Sequence, residues 1–101
     1  MTTSPIEQWP ALAVAVQVTD DALTVELSDG RRIAVPVSWY PRLAAGSAAE
    51  RNHWQFIGRG EGIHWPDLDE DISVEHLLRG TRSGEREPSF NQWLDARTSD
   101  L

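Results

Sequence analysis

An α+β fold opening with an antiparallel three-stranded meander is what this sequence predicts, and three observations predict it. Apolar residues alternate with polar or small ones in three successive runs between Leu12 and Val37, the period of half-buried strands. Asp29-Gly30 sits between two of these runs, a dipeptide suited to a tight hairpin. Beyond Val37 the spacing changes to short helical stretches interrupted by brief alternating runs. The expected order is βββ-α-ββ-α, followed by a short amphipathic C-terminal helix.

Residues 1 to 10 carry two prolines and no periodicity, and are expected to form an extended lead-in. In the first strand Leu12, Val14, Val16 and Val18 share the apolar face, with Ala13, Ala15 and Gln17 opposite. Thr19-Asp20-Asp21-Ala22 supplies turn chemistry before Leu23, Val25 and Leu27 alternate as the second strand. The third runs from Arg32 to Val37, burying Ile33, Val35 and Val37; Pro36, with no amide donor, marks an edge or an end. Val16, Val25 and Val35 are expected to be buried on one sheet face.

Ser38 to Leu43 leaves the sheet in a helical turn that admits Pro41 only near its start. Ser47-Ala48-Ala49-Glu50 has the spacing of a capping box. Trp54 and Phe56 alternate about Gln55 as a fourth strand, Gly58 to Gly62 is a turn, and Ile63 with Trp65 forms a fifth. Pro66 to Asp71 is an acidic connector. Ser73 caps a helix over Val74 to Arg79 with Val74, Leu77 and Leu78 on one face, and Gly80 ends it. The core domain is therefore expected over 11–80, followed over 81–101 by a polar linker and a helix. In that helix Ser89 and Gln92 repeat the capping spacing, and Phe90, Trp93 and Leu94 form an apolar stripe.

Composition narrows the chemistry. The 101 residues suffice for one hydrophobic core. No cysteine is present, so disulfides, thiolate nucleophiles and cysteine-ligated metals are ruled out. All nine basic residues are arginine, against sixteen acids, giving a net charge of −7 that opposes a nucleic-acid footprint. No apolar run reaches membrane-spanning length and no secretory signal opens the sequence, so a cytoplasmic protein without membrane contact is expected.

Asp29-Gly30-Arg31, Val35-Pro36, Ser38 to Leu43, Glu50-Arg51 and Gly62 to Val74 occur in that order. Together they resemble the small bacterial domain of unknown function numbered 2442, over roughly Ala11 to Gly80. The most specific stretch is His64-Trp65-Pro66-Asp67-Leu68-Asp69-Glu70-Asp71. The resemblance implies a compact α+β fold, found alone or beside a helix-turn-helix domain, with relatives often encoded beside small toxin-like proteins. It implies no established activity. The chain has no room for a helix-turn-helix module, so direct DNA binding is not expected.

Two groups of residues merit attention as sites. His64, Asp67, Asp69 and Asp71 are a candidate metal or acid–base cluster, but an EF-hand loop would require glycine at Ile72 and glutamate at Leu78. The simpler expectation is that Asp69 and Asp71 complement the N-terminus of the helix starting near Ser73. Gly58-Arg59-Gly60-Glu61-Gly62 lacks the lysine of a phosphate loop and is expected to be a hairpin turn. The second group is aromatic. Trp39, Tyr40 and Arg42, with Phe90, Trp93 and Leu94 of the tail, are the candidate interaction residues, one of Trp39 and Tyr40 lying outside. The tail stripe is too short to stabilise an isolated helix, so it must dock on its own domain, a second copy or a partner.

No catalytic motif and no cofactor site emerges. The sequence therefore points to a non-catalytic protein-interaction domain, antitoxin-like or regulatory, paired with a basic toxin-like protein and open to self-association. A small metal- or ligand-binding enzyme using the His64 cluster is the alternative.

Overall fold

A computed structural model of the chain describes residues 11–99. Strands β1 (Ala13–Val18), β2 (Ala22–Leu27) and β3 (Arg32–Pro36) form an antiparallel meander. A 3₁₀ turn (Val37–Trp39) leads to helices α1 (Pro41–Ala45) and α2 (Ala48–Arg51). A second antiparallel meander follows, of β4 (Gln55–Ile57), β5 (Gly62–Trp65) and β6 (Glu70–Ser73), before α3 (Val74–Arg79) and α4 (Glu87–Ser99). The α+β order expected from the sequence is thus the one observed, with one strand more.

The turns form for the reasons their residues suggest. The Thr19 hydroxyl accepts from the amides of Asp21 and Ala22, and the Thr19 amide donates to the Ala22 carbonyl, closing the β1–β2 connection. Gly30 takes a φ of 94°, which a side chain would strain, between Leu27 and Arg31. At α2 the capping box is complete: the Glu50 amide donates to Ser47 Oγ and the Ser47 amide to Glu50 Oε1.

The first strand departs from strict alternation. Ala13 pairs with Leu27 and Ala15 with Glu26, so Val14 is an extra residue in a bulge. Ala13 is buried, Val14 is 54% exposed, and Val16 and Val18 return to the core side opposite Val25 and Leu23. The bulge lies where the second sheet touches the first. The Ala13 amide donates to the carbonyl of Gly60, whose φ of 113° and lack of a side chain let the β4–β5 hairpin meet β1. Val25 and Val35 are buried as expected, while Val16 is only half-buried.

The core joins the two sheets. Leu23, Val25, Val35 and Val37 pack with Leu43, Ile63, Trp65, Leu68, Ile72, Val74 and Leu77. Leu78, expected on the buried face of α3, is exposed because the six-residue helix lays only Val74 and Leu77 on the core.

Within this core Arg51 is buried. Its Nε donates to the Leu43 carbonyl and one Nη to the Ala44 carbonyl, at 2.8 and 2.7 Å, capping the end of α1. Its other Nη reaches Asp20 in the β1–β2 turn at 2.6 Å. The fully buried indole of Trp65 donates to the Arg51 carbonyl at 3.0 Å. Arg51→Leu orphans two carbonyls and should cost about 3 kcal/mol. Asp20 is exposed, so Asp20→Ala should cost under about 1 kcal/mol. Denaturant melts of both variants check the contrast; equal losses would contradict the role given to Arg51.

Candidate functional site

The acidic connector does not behave as a loop leading into a helix. The chain turns after Trp65, with the Leu68 amide donating to the Trp65 carbonyl and Leu68 buried beneath it. Asp69 adopts a φ of 52° and the chain re-enters the sheet as β6, which pairs along β5. Alternation of Glu70, Asp71 and Ile72 over so short a run, with acids at both other positions, gave no apolar signal for this strand.

The four candidate metal residues are consequently dispersed. His64 and Asp71 are cross-strand partners on the outer face of the second sheet, and the Nδ1–H of His64 donates to the Asp71 carboxylate. Asp67 accepts instead from Nδ1 of His53 at 2.7 Å. Asp69 faces Arg42, whose Nη1 donates to the Asp69 carbonyl at 3.1 Å. Among the described residues no group of three His, Asp or Glu side chains could hold a metal ion. The helix-capping expectation is also corrected: Ser73 Oγ accepts from the His76 amide, while neither Asp69 nor Asp71 caps α3. Both carboxylates are committed elsewhere, one to Arg42 and one to His64. The Gly58 to Gly62 segment is a hairpin turn, as expected, with the Gly60 and Glu61 amides donating to the Ile57 carbonyl.

The aromatic group is brought together, but as an internal junction. Tyr40 is buried, and its hydroxyl donates to the Thr81 carbonyl at 2.8 Å, so it offers no contact surface. Trp39 is the half-buried member of the pair, with the Arg82 guanidinium 4.9 Å from its ring centroid. The Ser83 amide donates to the Trp39 carbonyl, so the chain just past Gly80 is tied to the domain.

Arg42 is the pivot of this junction. Its Nε and Nη2 donate to the Glu85 carboxylate at 2.9 and 2.7 Å, a fork-to-carboxylate pair whose side chains are 16% and 10% exposed. Hydrogen bonding to Arg42 holds the Glu85 carboxyl below the usual range. The same guanidinium stands 5.1 Å from the centroid of the Trp93 ring, and Arg97 stands 4.6 Å from it. Phe90 stacks on Trp93 at 5.7 Å, and Phe90, Trp93 and Leu94 are all half-buried. Arg97 also donates to Glu50 at 2.8 Å, lowering the Glu50 carboxyl and tying α4 to the capping box of α2.

The C-terminal helix therefore docks on its own domain. It starts at Glu87 rather than at Ser89, whose Oγ donates to Glu85 instead of capping. Sequence reasoning found Arg42 and the apolar stripe but missed Glu85, Arg97 and Glu50. Arg97 lies four residues beyond Trp93, a helical spacing that could have revealed it; Glu85 is one acid among several in a polar linker.

The family model described as Protein of unknown function (DUF2442) matches residues 13–83. The chain belongs to this family. The matched segment covers both sheets and ends where Ser83 closes on Trp39, leaving α4 outside the DUF2442 region. A crystal structure of a protein of unknown function from Rhodospirillum rubrum shares the fold, with a TM-score of 0.66 and 24% identity, over 76% of this chain and 95% of that one. The solution structure of an uncharacterised protein from Chromobacterium violaceum gives a TM-score of 0.63 and 18% identity, over 78% and 73%. No protein of curated function matches the sequence.

One group near the junction is out of balance. Glu70 crosses from Trp65 and is half-buried, and its Oε2 is buried without a hydrogen-bond partner. Burial pushes its carboxyl up to about 7; Arg42 and the Asp71 amide oppose the shift, and Glu85 and Asp71 reinforce it. A raised carboxyl favours the folded state while protonated, so this contribution is present below the unfolded value near 4.5 and is lost as pH rises to about 7. Glu70→Gln should remove that loss. The melting temperature of the variant relative to wild type should climb between pH 5 and 7 and level above; a difference independent of pH would contradict the assignment.

Proposed function

We propose that this DUF2442 protein is a non-catalytic protein-interaction domain, the antitoxin-like or regulatory member of a pair, whose partner is basic. One observation carries the reading. Its C-terminal segment is fastened to the domain by Trp93, which packs against the core, and by charge: Arg42 to Glu85, Arg97 to Glu50, and both guanidinium groups over Trp93.

A junction of this kind can be exchanged. Arginines of a partner would compete for the same carboxylates and for the face of Trp93, replacing internal pairs with intermolecular ones of like chemistry. The net charge of −7 attracts such a partner over a distance, and it repels the phosphates of nucleic acid. The four residues of the alternative, a small metal- or ligand-binding enzyme, do not converge on one point: His64 pairs with Asp71, Asp67 with His53 and Asp69 with Arg42.

The test is to purify the tagged full chain from its native host at low salt. A basic protein should co-elute in stoichiometric amount, and raising the salt should weaken its capture, because the long-range attraction of the net charge of −7 is screened. The full chain should not retard duplex DNA. Purification of the chain alone, or a complex indifferent to salt, would contradict the proposal. A chain ending at Gly84 keeps the Tyr40–Thr81 and Ser83–Trp39 bonds and should remain folded by circular dichroism while capturing the partner differently.

A further inference from the structure

Among the described residues, Oε2 of Glu70 is the buried side-chain oxygen left without a hydrogen-bond partner. Two donors stand close enough to interact with its charge, and both are committed elsewhere. The Tyr40 hydroxyl donates to the Thr81 carbonyl. Arg42 gives Nε and Nη2 to Glu85 and Nη1 to the Asp69 carbonyl, with the Asp69 carboxylate 3.4 Å from the same nitrogen. The other charges acting on Glu70 are the carboxylates of Glu85 and Asp71, and both repel an anion there. A carboxyl so placed is poorly served when ionised and well served when protonated. One guanidinium thus serves two carboxyl groups on different elements, and Glu85 holds it. Glu85 lies on the segment that leads into α4. Just before it the Ser83 amide is fastened to the Trp39 carbonyl, and Gly84 has open space around it, so the chain can turn there without disturbing the domain.

We infer that Glu70 is a second carboxylate for Arg42, protonated while Glu85 occupies the guanidinium and ionised once Glu85 leaves, so that a proton latches the α4 junction. Departure of Glu85 removes a repulsive charge from Glu70 and frees Nε and Nη2 of Arg42 to pair with it. Both changes favour the ionised form, so the docked state binds the proton more tightly than the open one. Glu85 itself, held below the usual carboxylate range by Arg42, stays charged throughout. With the docked Glu70 carboxyl at about 7, docking of α4 is firmest in mild acid, weakens as pH rises to about 7 and changes no further above it. A partner whose arginines compete for Glu85 therefore meets a junction that neutral pH has already loosened. The inference rests on the exchangeable junction proposed above and adds its regulation.

Amide hydrogen exchange of the full chain between pH 5 and 8, corrected for the intrinsic rate at each pH, reads the opening constant of α4 and tests the latch. In wild type that constant should rise by about threefold or more towards pH 7 and then level, the factor that half a pKa unit between docked and open carboxyl supplies. Glu70→Gln, the neutral isostere, should keep α4 at its acidic-pH opening constant throughout. Glu85→Gln should open α4 further and flatten its pH profile, while the melting temperature still falls as pH rises because Glu70 remains buried. That variant decides the matter if Glu70→Gln fails to fold. An opening constant independent of pH in wild type, or a slope unchanged in either variant, would overturn the latch and leave the exchangeable junction standing. Exchange of α4 only through global unfolding at every pH would overturn both.

Discussion

Everything in the fold meets at Arg51. A buried guanidinium must have its donors satisfied, and here the carbonyls at the end of α1 and the carboxylate in the β1–β2 turn supply the acceptors. Those acceptors come from the first sheet and the helices, whereas the Trp65 indole that binds the Arg51 carbonyl comes from the second sheet. The two meanders of three short strands share a single core. They become one unit because this residue closes the helical crossover between them, and because the flat Trp65 ring fills the space it encloses.

The same economy of contacts explains the position of α4. Of the described residues of α4, Trp93 packs against the core that holds Tyr40, Leu43 and Leu68. The charged contact is Arg42, oriented by the Asp69 carbonyl on one side and by Glu85 on the other, with Trp93 laid against it. Such a contact orients a helix strongly but desolvates charge to do so, and its net stabilisation is small. A helix held in that way is suited to leaving.

Much of this was legible in the sequence, for identifiable reasons. Alternation and the Asp29-Gly30 turn revealed the first meander, and Ser47 with Glu50 revealed α2, because these signals are local and the bonds that realise them span three or four residues. The bulge at Val14 was not legible, since it answers to Gly60, which is distant in sequence and meets β1 only in the folded chain. Nor was β6: Glu70 and Asp71 disguise it as a solvated connector, and its strand character comes from pairing with β5. The candidate metal residues are close in sequence, but His64 and Asp71 bind each other while Asp67 turns to His53 and Asp69 to Arg42. Tyr40 reads in the sequence as a contact residue because nothing local shows that the Thr81 carbonyl will accept from its hydroxyl.

The central claim is that the domain closes on Arg51 and Trp65 as one unit while α4 opens separately through a junction of charge. Amide hydrogen exchange at two salt concentrations measures both parts at once. Ile63, Trp65 and Val25 amides should exchange only through global unfolding at either salt, and amides within α4 should exchange at a lower free energy that falls further as salt is raised. Protection of α4 equal to that of β5 and unaffected by salt would contradict the account, making α4 part of the core.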